Sequence, residues 1–251
     1  MRRANDRSSS AQVGSTAEGF STVRCPEVAG SRGSAGRCLP LLLALSAVPL
    51  PAPLPAAPGE ANVLFVLDLS GSMWGRVEGR EKIAIAREVL AEVLADLPEY
   101  VAVGLEVYGH RSREDCDDIE VVAPVGDRTP KAVGSVIAEL QPRGQTPLSR
   151  ALLAAYDEVS LLPGSAHVVL LSDGKETCGG DPCELMADLR ATGSRVSYHV
   201  IGFDVTAEER AQLECIARAG RGDYYVADNA EDLTRALATV RRKVLERVEP
   251  D

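Results

Sequence analysis

The stretch NVLFVLDLSGSMWGR, Asn62 to Arg76, governs how the rest of the chain is read. Six mostly apolar residues, Asn62–Leu67, run straight into Asp68, and Ser70 and Ser72 follow at two-residue steps. A short apolar run closed by polar loop residues reads as a buried strand. Ending such a strand in a carboxylate is costly unless something compensates the charge, because an unpaired buried carboxylate is strongly disfavoured.

Downstream, β-rich runs alternate with helical periods, the pattern of an α/β fold with a mainly parallel sheet. After the first strand, Glu81–Leu97 reads as a helix, with Ile83, Ala86, Val89, Leu90, Val93, Leu94 and Leu97 at three- and four-residue steps. Tyr100–Tyr108 and Ile119–Val125 read as strands. Their link of about ten polar residues is too short for a parallel crossover, so the pair is expected to be an antiparallel hairpin. Helices are expected over Thr129–Leu140, Leu148–Ser160, Pro182–Thr192, Ala207–Ala219 and from Asn229 to about Arg247. Thr206 with Glu209 has the spacing of a capping box. The remaining strands fall on His167–Leu171, Arg195–Ile201 and Asp223–Val226.

Open doubly wound sheets hold ligands outside the carboxyl ends of their strands. The polar residues gather at such ends. Asp68, Ser70 and Ser72 follow strand one, Asp173 follows the strand His167–Leu171 within LLSDGKET, and Thr146 lies in the loop RGQTP. Three hydroxyls and two carboxylates form an all-oxygen donor set, which suits a hard cation. Mg2+ is the expected ion, with Mn2+ or Ca2+ as alternatives, and its charge would compensate Asp68 and Asp173. A dinucleotide site would need Gly-x-Gly-x-x-Gly after strand one, whereas Gly71 and Gly75 stand there and no Walker lysine follows.

The set Asp68-Leu-Ser70-Gly-Ser72, Thr146 and Asp173-Gly174 resembles the von Willebrand factor type A domain, at its metal-ion-dependent adhesion site. The resemblance covers roughly residues 61–248. It implies a three-layer, doubly wound, Rossmann-like fold, with a six-stranded mostly parallel sheet in the order 3-2-1-4-5-6. Strand three would be antiparallel, and helices would cover both faces. It further implies that Ser70, Ser72 and Thr146 touch a metal through their hydroxyls, while Asp68 and Asp173 act largely through water and hydrogen bonds. A protein partner supplying an acidic residue often completes such a shell.

Cys116, Cys178, Cys183 and Cys215 form an even set in a chain with an export-like leader, which favours disulfides. A local Cys178–Cys183 bridge and the pair Cys116–Cys178 with Cys183–Cys215 both remain open, beside a zinc site and free thiols. The TCGGDPC stretch, with a cysteine after Gln212-Leu213-Glu214, resembles a bacterial exported subset of the family.

The first 58 residues carry six arginines and three carboxylates, against 21 basic and 34 acidic residues in the remainder. Residues 1–58 are therefore a different kind of sequence, expected to be disordered, with a signal-peptide-like segment over about 38–57. The acidic remainder argues against nucleic acid as a partner. A membrane would be contacted only through that segment, if uncleaved. The expected location is exported, periplasmic or extracellular. Catalysis is not expected. His110 is the one histidine near the right rim by sequence, and an aspartate-nucleophile enzyme would want a second Asp where Ser70 stands. Trp74 reads as a contact residue or as packing over the loop, and the run Glu114, Asp115, Asp117, Asp118 as a second cation site or a solvated hairpin tip. The expected function is a Mg2+-dependent, adhesion-type protein-binding domain. Two alternatives come from other classes: an accessory subunit of an ATP-driven chaperone or metal chelatase, and a metal-dependent hydrolase.

Overall fold

Every residue of the first strand, β1 (Ala61–Asp68), is buried, because it has a parallel neighbour on each side and helices above and below. The computed structural model describes residues 61–246. The disordered segment expected over 1–58, its signal-like run and the end of the last helix at Arg247 lie outside the described residues.

After β1 come a single 3-10 turn over Gly71–Trp74 and a small antiparallel ribbon, β2 (Arg76–Val77) with β3 (Arg80–Glu81). Then follow α1 (Lys82–Ala95), β4 (Ala102–Tyr108), β5 (Ile119–Arg128), α2 (Pro130–Ile137), α3 (Leu148–Val159) and β6 (Ser165–Ser172). The chain continues with α4 (Pro182–Ala191), β7 (Ser197–Phe203), α5 (Ala207–Ala219), β8 (Arg221–Ala227) and α6 (Ala230–Glu246). The main sheet has the order β5-β4-β1-β6-β7-β8, with only β4 and β5 antiparallel. Leaving out the ribbon, that is the expected order 3-2-1-4-5-6. The helices differ from expectation mainly by a residue or two at their ends, but α2 stops at Ile137 rather than Leu140; β6 starts two residues earlier and ends one later than the apolar run suggested, and β7 starts and ends two residues later.

Alternation along β1 sends Val63, Phe65 and Leu67 into one core with α1, α2 and α6, and Leu64 and Val66 into a second core with α3, α4 and α5. Local chemistry sets several helix starts. Thr206 and Glu209 complete the capping box, Asp181 accepts from the backbone N–H of Cys183 and Glu184, and Asn229 accepts from that of Asp232. Because β1, β4 and β6 are parallel and in register, with Asp68 opposite Tyr108 and Leu67 opposite Leu171, their carboxyl ends form one rim. The start of β1 and the last turn of α6 lie at the other end, where Val63, Val93, Leu97 and Val244 line one crevice.

One residue breaks the apolar pattern of β4. Glu106 points to the α3 face, between Leu105 and Val107 of the opposite face. It is fully buried, and neither carboxyl oxygen has a hydrogen-bond partner. Burial, and then the charge of Glu158, holds it well above its ordinary 4.5. A carboxyl that stays protonated in the fold but ionises on unfolding stabilises the fold at low pH, and this contribution is lost as pH rises through its folded value. Thermal denaturation of Glu106→Gln is therefore expected to gain on the wild type progressively as pH is raised above about 4.5.

Candidate functional site

Asp68 closes β1 with 0% exposure. Its Oδ1 accepts the backbone N–H of Ser70 at 2.8 Å, and its Oδ2 accepts the Ser172 hydroxyl at 2.6 Å. The carboxylate thus pins the loop after β1 to the end of β6. Burial raises its pKa, against the lowering by these hydrogen bonds. From the 3-10 turn, Ser72 Oγ lies 2.9 Å from Ser70 Oγ and donates to Asp173 Oδ1 at 2.6 Å. Asp173 immediately follows β6 and is itself buried. Burial, then the nearby Asp68 charge, pushes its carboxyl up to about 6, despite the Ser72 hydroxyl and the Lys82 ammonium. A buried carboxylate raised by a neighbouring one in this way marks a place short of positive charge.

The loop carrying Thr146 is brought in by backbone. Gly71 N–H donates to the Gly144 carbonyl at 3.1 Å, while Arg143 and Gly144 N–H donate to the Gly109 carbonyl. Gly109 has φ +69°, and a Cβ there would meet Gln145 O at 2.6 Å, so this junction requires glycine. Thr146 N–H donates to Thr177 Oγ1 at 2.8 Å, and Thr177 N–H to the Thr146 carbonyl at 3.1 Å. A Cβ on Gly174 would stand 3.9 Å from Ser72 Oγ and 4.0 Å from Thr146 Oγ1, so both hydroxyls lie beside this bare glycine. All five residues expected at the site, Asp68, Ser70, Ser72, Thr146 and Asp173, are brought to one rim. Ser72 is exposed and the others are buried, so the cluster opens to solvent at Ser72.

Sequence reasoning missed the residues that hold this cluster. Ser172, beneath Asp68, reads as an ordinary strand-end serine. Thr177 and Glu176 read as loop polar residues, yet Glu176 accepts from the backbone N–H of both Ser149 and Cys178. Lys82 opens α1 and reads as a surface lysine, but its Nζ lies 3.1 Å from Asp173 Oδ2 and 2.9 Å from Asp204 Oδ2. Burial alone would lower that ammonium, but the two carboxylates hold it above its ordinary value. Part of the compensation expected of a bound cation is thus built into the chain: Asp173 has a cationic neighbour, and Asp68 has two hydrogen-bond donors. The only available signal for Lys82 was a lysine one step before an apolar helical period.

The open cysteine alternatives resolve into Cys116–Cys178 and Cys183–Cys215, each with Cα atoms 5.7 Å apart. The first staples the β4–β5 connection to the loop after Asp173, and the second joins α4 to α5. The acidic run is consumed structurally rather than gathered round a second cation. Asp118 is buried and accepts from Arg111 and Ser112, Asp117 pairs with Arg150, and Asp115 accepts from Asp117 N–H. His110 Nε2 lies 3.1 Å from Glu120 Oε2, and its Nδ1 3.4 Å from Asp118 Oδ1. His167 and His199 stack inside the sheet with centroids 5.6 Å apart. Trp74 is 44% exposed, and its indole N–H donates to the Pro142 carbonyl at 2.9 Å, so its ring is held in place beside the opening.

A model of the von Willebrand factor type A domain matches residues 62–239. The chain belongs to that family. Among relatives of this VWA domain, the uncharacterized protein YwmC of Bacillus subtilis (strain 168) is 31% identical over 188 residues, covering 71% of this chain and 82% of that protein. In fold, the chain is similar to the pilus adhesin SpaC of Lactobacillus rhamnosus GG, with a TM-score of 0.62 at 14% identity, over 77% of this chain and 31% of that one. It is also similar to proximal thread matrix protein 1 of the mussel byssus, solved with a zinc-occupied MIDAS motif, with a TM-score of 0.59 at 18% identity, over 74% and 46% of the two chains. The VWA domain here thus corresponds to less than half of each of those longer proteins.

Among the described residues, no group of three or more His, Cys, Asp or Glu side chains is placed to hold a metal. Any cation at this rim therefore depends on hydroxyl donors. Ser70, Ser72 and Thr146 supply them, and two buried carboxylates stand behind; this donor chemistry fits a hard divalent ion and not a thiophilic one. The bracing predicts its own weak point. Ser172→Ala leaves one oxygen of a buried carboxylate without its donor, and urea denaturation is expected to show a loss of about 1–3 kcal/mol.

Proposed function

We propose that this VWA domain is an exported, divalent-cation-dependent protein-binding module that captures a partner through a carboxylate. The observation that carries this reading is the meeting of three hydroxyls over two buried carboxylates at a place open to solvent on one side. Ser70, Ser72 and Thr146 would hold the ion directly, and Asp68 and Asp173 would orient the hydroxyls and bound water. Neutral hydroxyl donors leave a divalent ion largely un-neutralised, so that when bound it supplies a positive point for an outside anion. The all-oxygen set favours Mg2+, with Mn2+ or Ca2+ as substitutes. The half-exposed, tethered Trp74 would give the partner an aromatic contact beside that point.

The reading is one of binding, not of catalysis: the hydroxyls of Ser70 and Ser72 bond to one another, that of Ser72 also donates to Asp173, and His110 is engaged with Glu120. Two disulfides support export to an oxidising compartment, and they weigh against a cytoplasmic accessory subunit. No helix among the described residues is long and apolar enough to cross a membrane.

Isothermal titration with Mg2+ is expected to give saturable heats for the wild type and none for Ser70→Ala combined with Ser72→Ala; equal, negligible heats for both would remove the proposal. Capture of partners from the cell envelope should be abolished by EDTA. Trp74→Ala should weaken that capture about tenfold, with the Mg2+ heats unchanged.

A further inference from the structure

The two oxygens of Asp173 face different chemistry. Oδ1 accepts the Ser72 hydroxyl, while Oδ2 is 3.1 Å from the Lys82 ammonium. Lys82 is not a surface lysine that happens to reach the rim. Its side chain is only 10% exposed, and its backbone N–H donates to the Gly75 carbonyl at 2.8 Å. A Cβ on Gly75 would come within 3.4 Å of Lys82 Cε and 2.9 Å of the Ser72 carbonyl, so the serine loop closes down on the lysine stem where a side chain is missing. The far side of the ammonium is held by Asp204, through its carboxylate at 2.9 Å and its carbonyl at 3.1 Å. Asp204 sits in the left-handed region, φ +53°, at the turn after β7. One cation therefore bridges the candidate site and the neighbouring loop.

We propose that Lys82 is a resident counter-cation of the site, a positioning residue that occupies Asp173 Oδ2, keeps that carboxylate out of direct contact with a bound ion, and weakens the ion's binding so that its charge stays available to an outside anion. The inference rests on the cation-site reading above. A buried carboxylate competes with a partner's carboxylate for the same positive charge, and pairing it internally removes the competitor. Asp204 counters part of the lysine's charge and so sets how strongly the ammonium opposes an incoming ion. The two neighbours of the site therefore act in opposite directions.

Mn2+ and Mg2+ titrations of the full chain test this with two variants. Lys82→Met keeps the stem and removes the charge; the divalent ion is expected to bind about tenfold more tightly or better, and the rise in Tm on adding it should exceed that of the wild type. Asp204→Asn leaves Lys82 in place, and asparagine tolerates the left-handed backbone; the ion is expected to bind severalfold more weakly. A merely structural brace would not produce affinity changes of opposite sign. If the wild type binds the ion and neither variant changes its affinity, or Lys82→Met weakens it, the counter-cation role is overturned and the site reading stands. If Lys82→Met fails to fold, unchanged or tighter binding by Asp204→Asn overturns it alone. If the wild type is silent but Lys82→Met binds, the counter-cation role is supported and the native site reading falls. Silence from every protein removes both.

Discussion

Two carboxylates are held at the buried ends of adjacent parallel strands, and much of the rim is arranged around keeping that tolerable. Asp68 ends β1, Asp173 follows β6, and the pairing of the two strands leaves neither acid room to move away from the other. Like charges in a poorly solvated place raise one another and seek donors or cations. Asp68 is met by a backbone N–H and a serine hydroxyl, Asp173 by a serine hydroxyl and an ammonium. The loop after β1, the end of β6 and the start of α1 all contribute polar groups to this one problem.

That demand explains why the loops are so firmly joined. The turn after β1, the connection after β4 and the loop before α3 exchange backbone hydrogen bonds through Ser70, Gly71, Gly109 and Gly144. The loop after β6 holds Thr146 through Thr177, and the Cys116–Cys178 bridge ties that loop to the β4–β5 connection. The sheet places the strand ends to within an ångström or so, but hydroxyl donors must be oriented more closely than a strand end alone allows, and these cross-links supply the difference. The hydroxyl cluster is consequently pre-formed.

Much of this could be read from the chain because the decisive signals were local. The unbroken apolar run of β1, the helical period of α1, the Thr206–Glu209 box and the short link that forces β4 and β5 into a hairpin each depend on a few neighbouring residues. The five rim positions were legible because they form a sequence pattern at strand ends. What escaped was set by contacts between residues far apart in sequence. Lys82 meets Asp173 across 91 residues and Ser172 meets Asp68 across 104, and nothing near either residue in sequence distinguishes it from an ordinary surface lysine or strand serine. The disulfide pairing was undetermined for the same reason, since it depends on which loops the sheet order brings together. The β2–β3 ribbon is only two residues per strand, below what any period can reveal. Glu106 inverts the usual expectation, an acid in the middle of a buried strand with neither oxygen hydrogen-bonded, and only the fold shows that burial raises its pKa.

The start of β1 and the last turn of α6 lie at the end of the sheet opposite the hydroxyl cluster. A force applied between these two poles would load the strands along their length, in shear, so that many backbone hydrogen bonds must yield together before the sheet opens. Peeling from an edge would break them one at a time. The parallel order that brings the two acids together therefore also runs the sheet's hydrogen-bonded ladders along the line from the hydroxyl cluster to the start of β1.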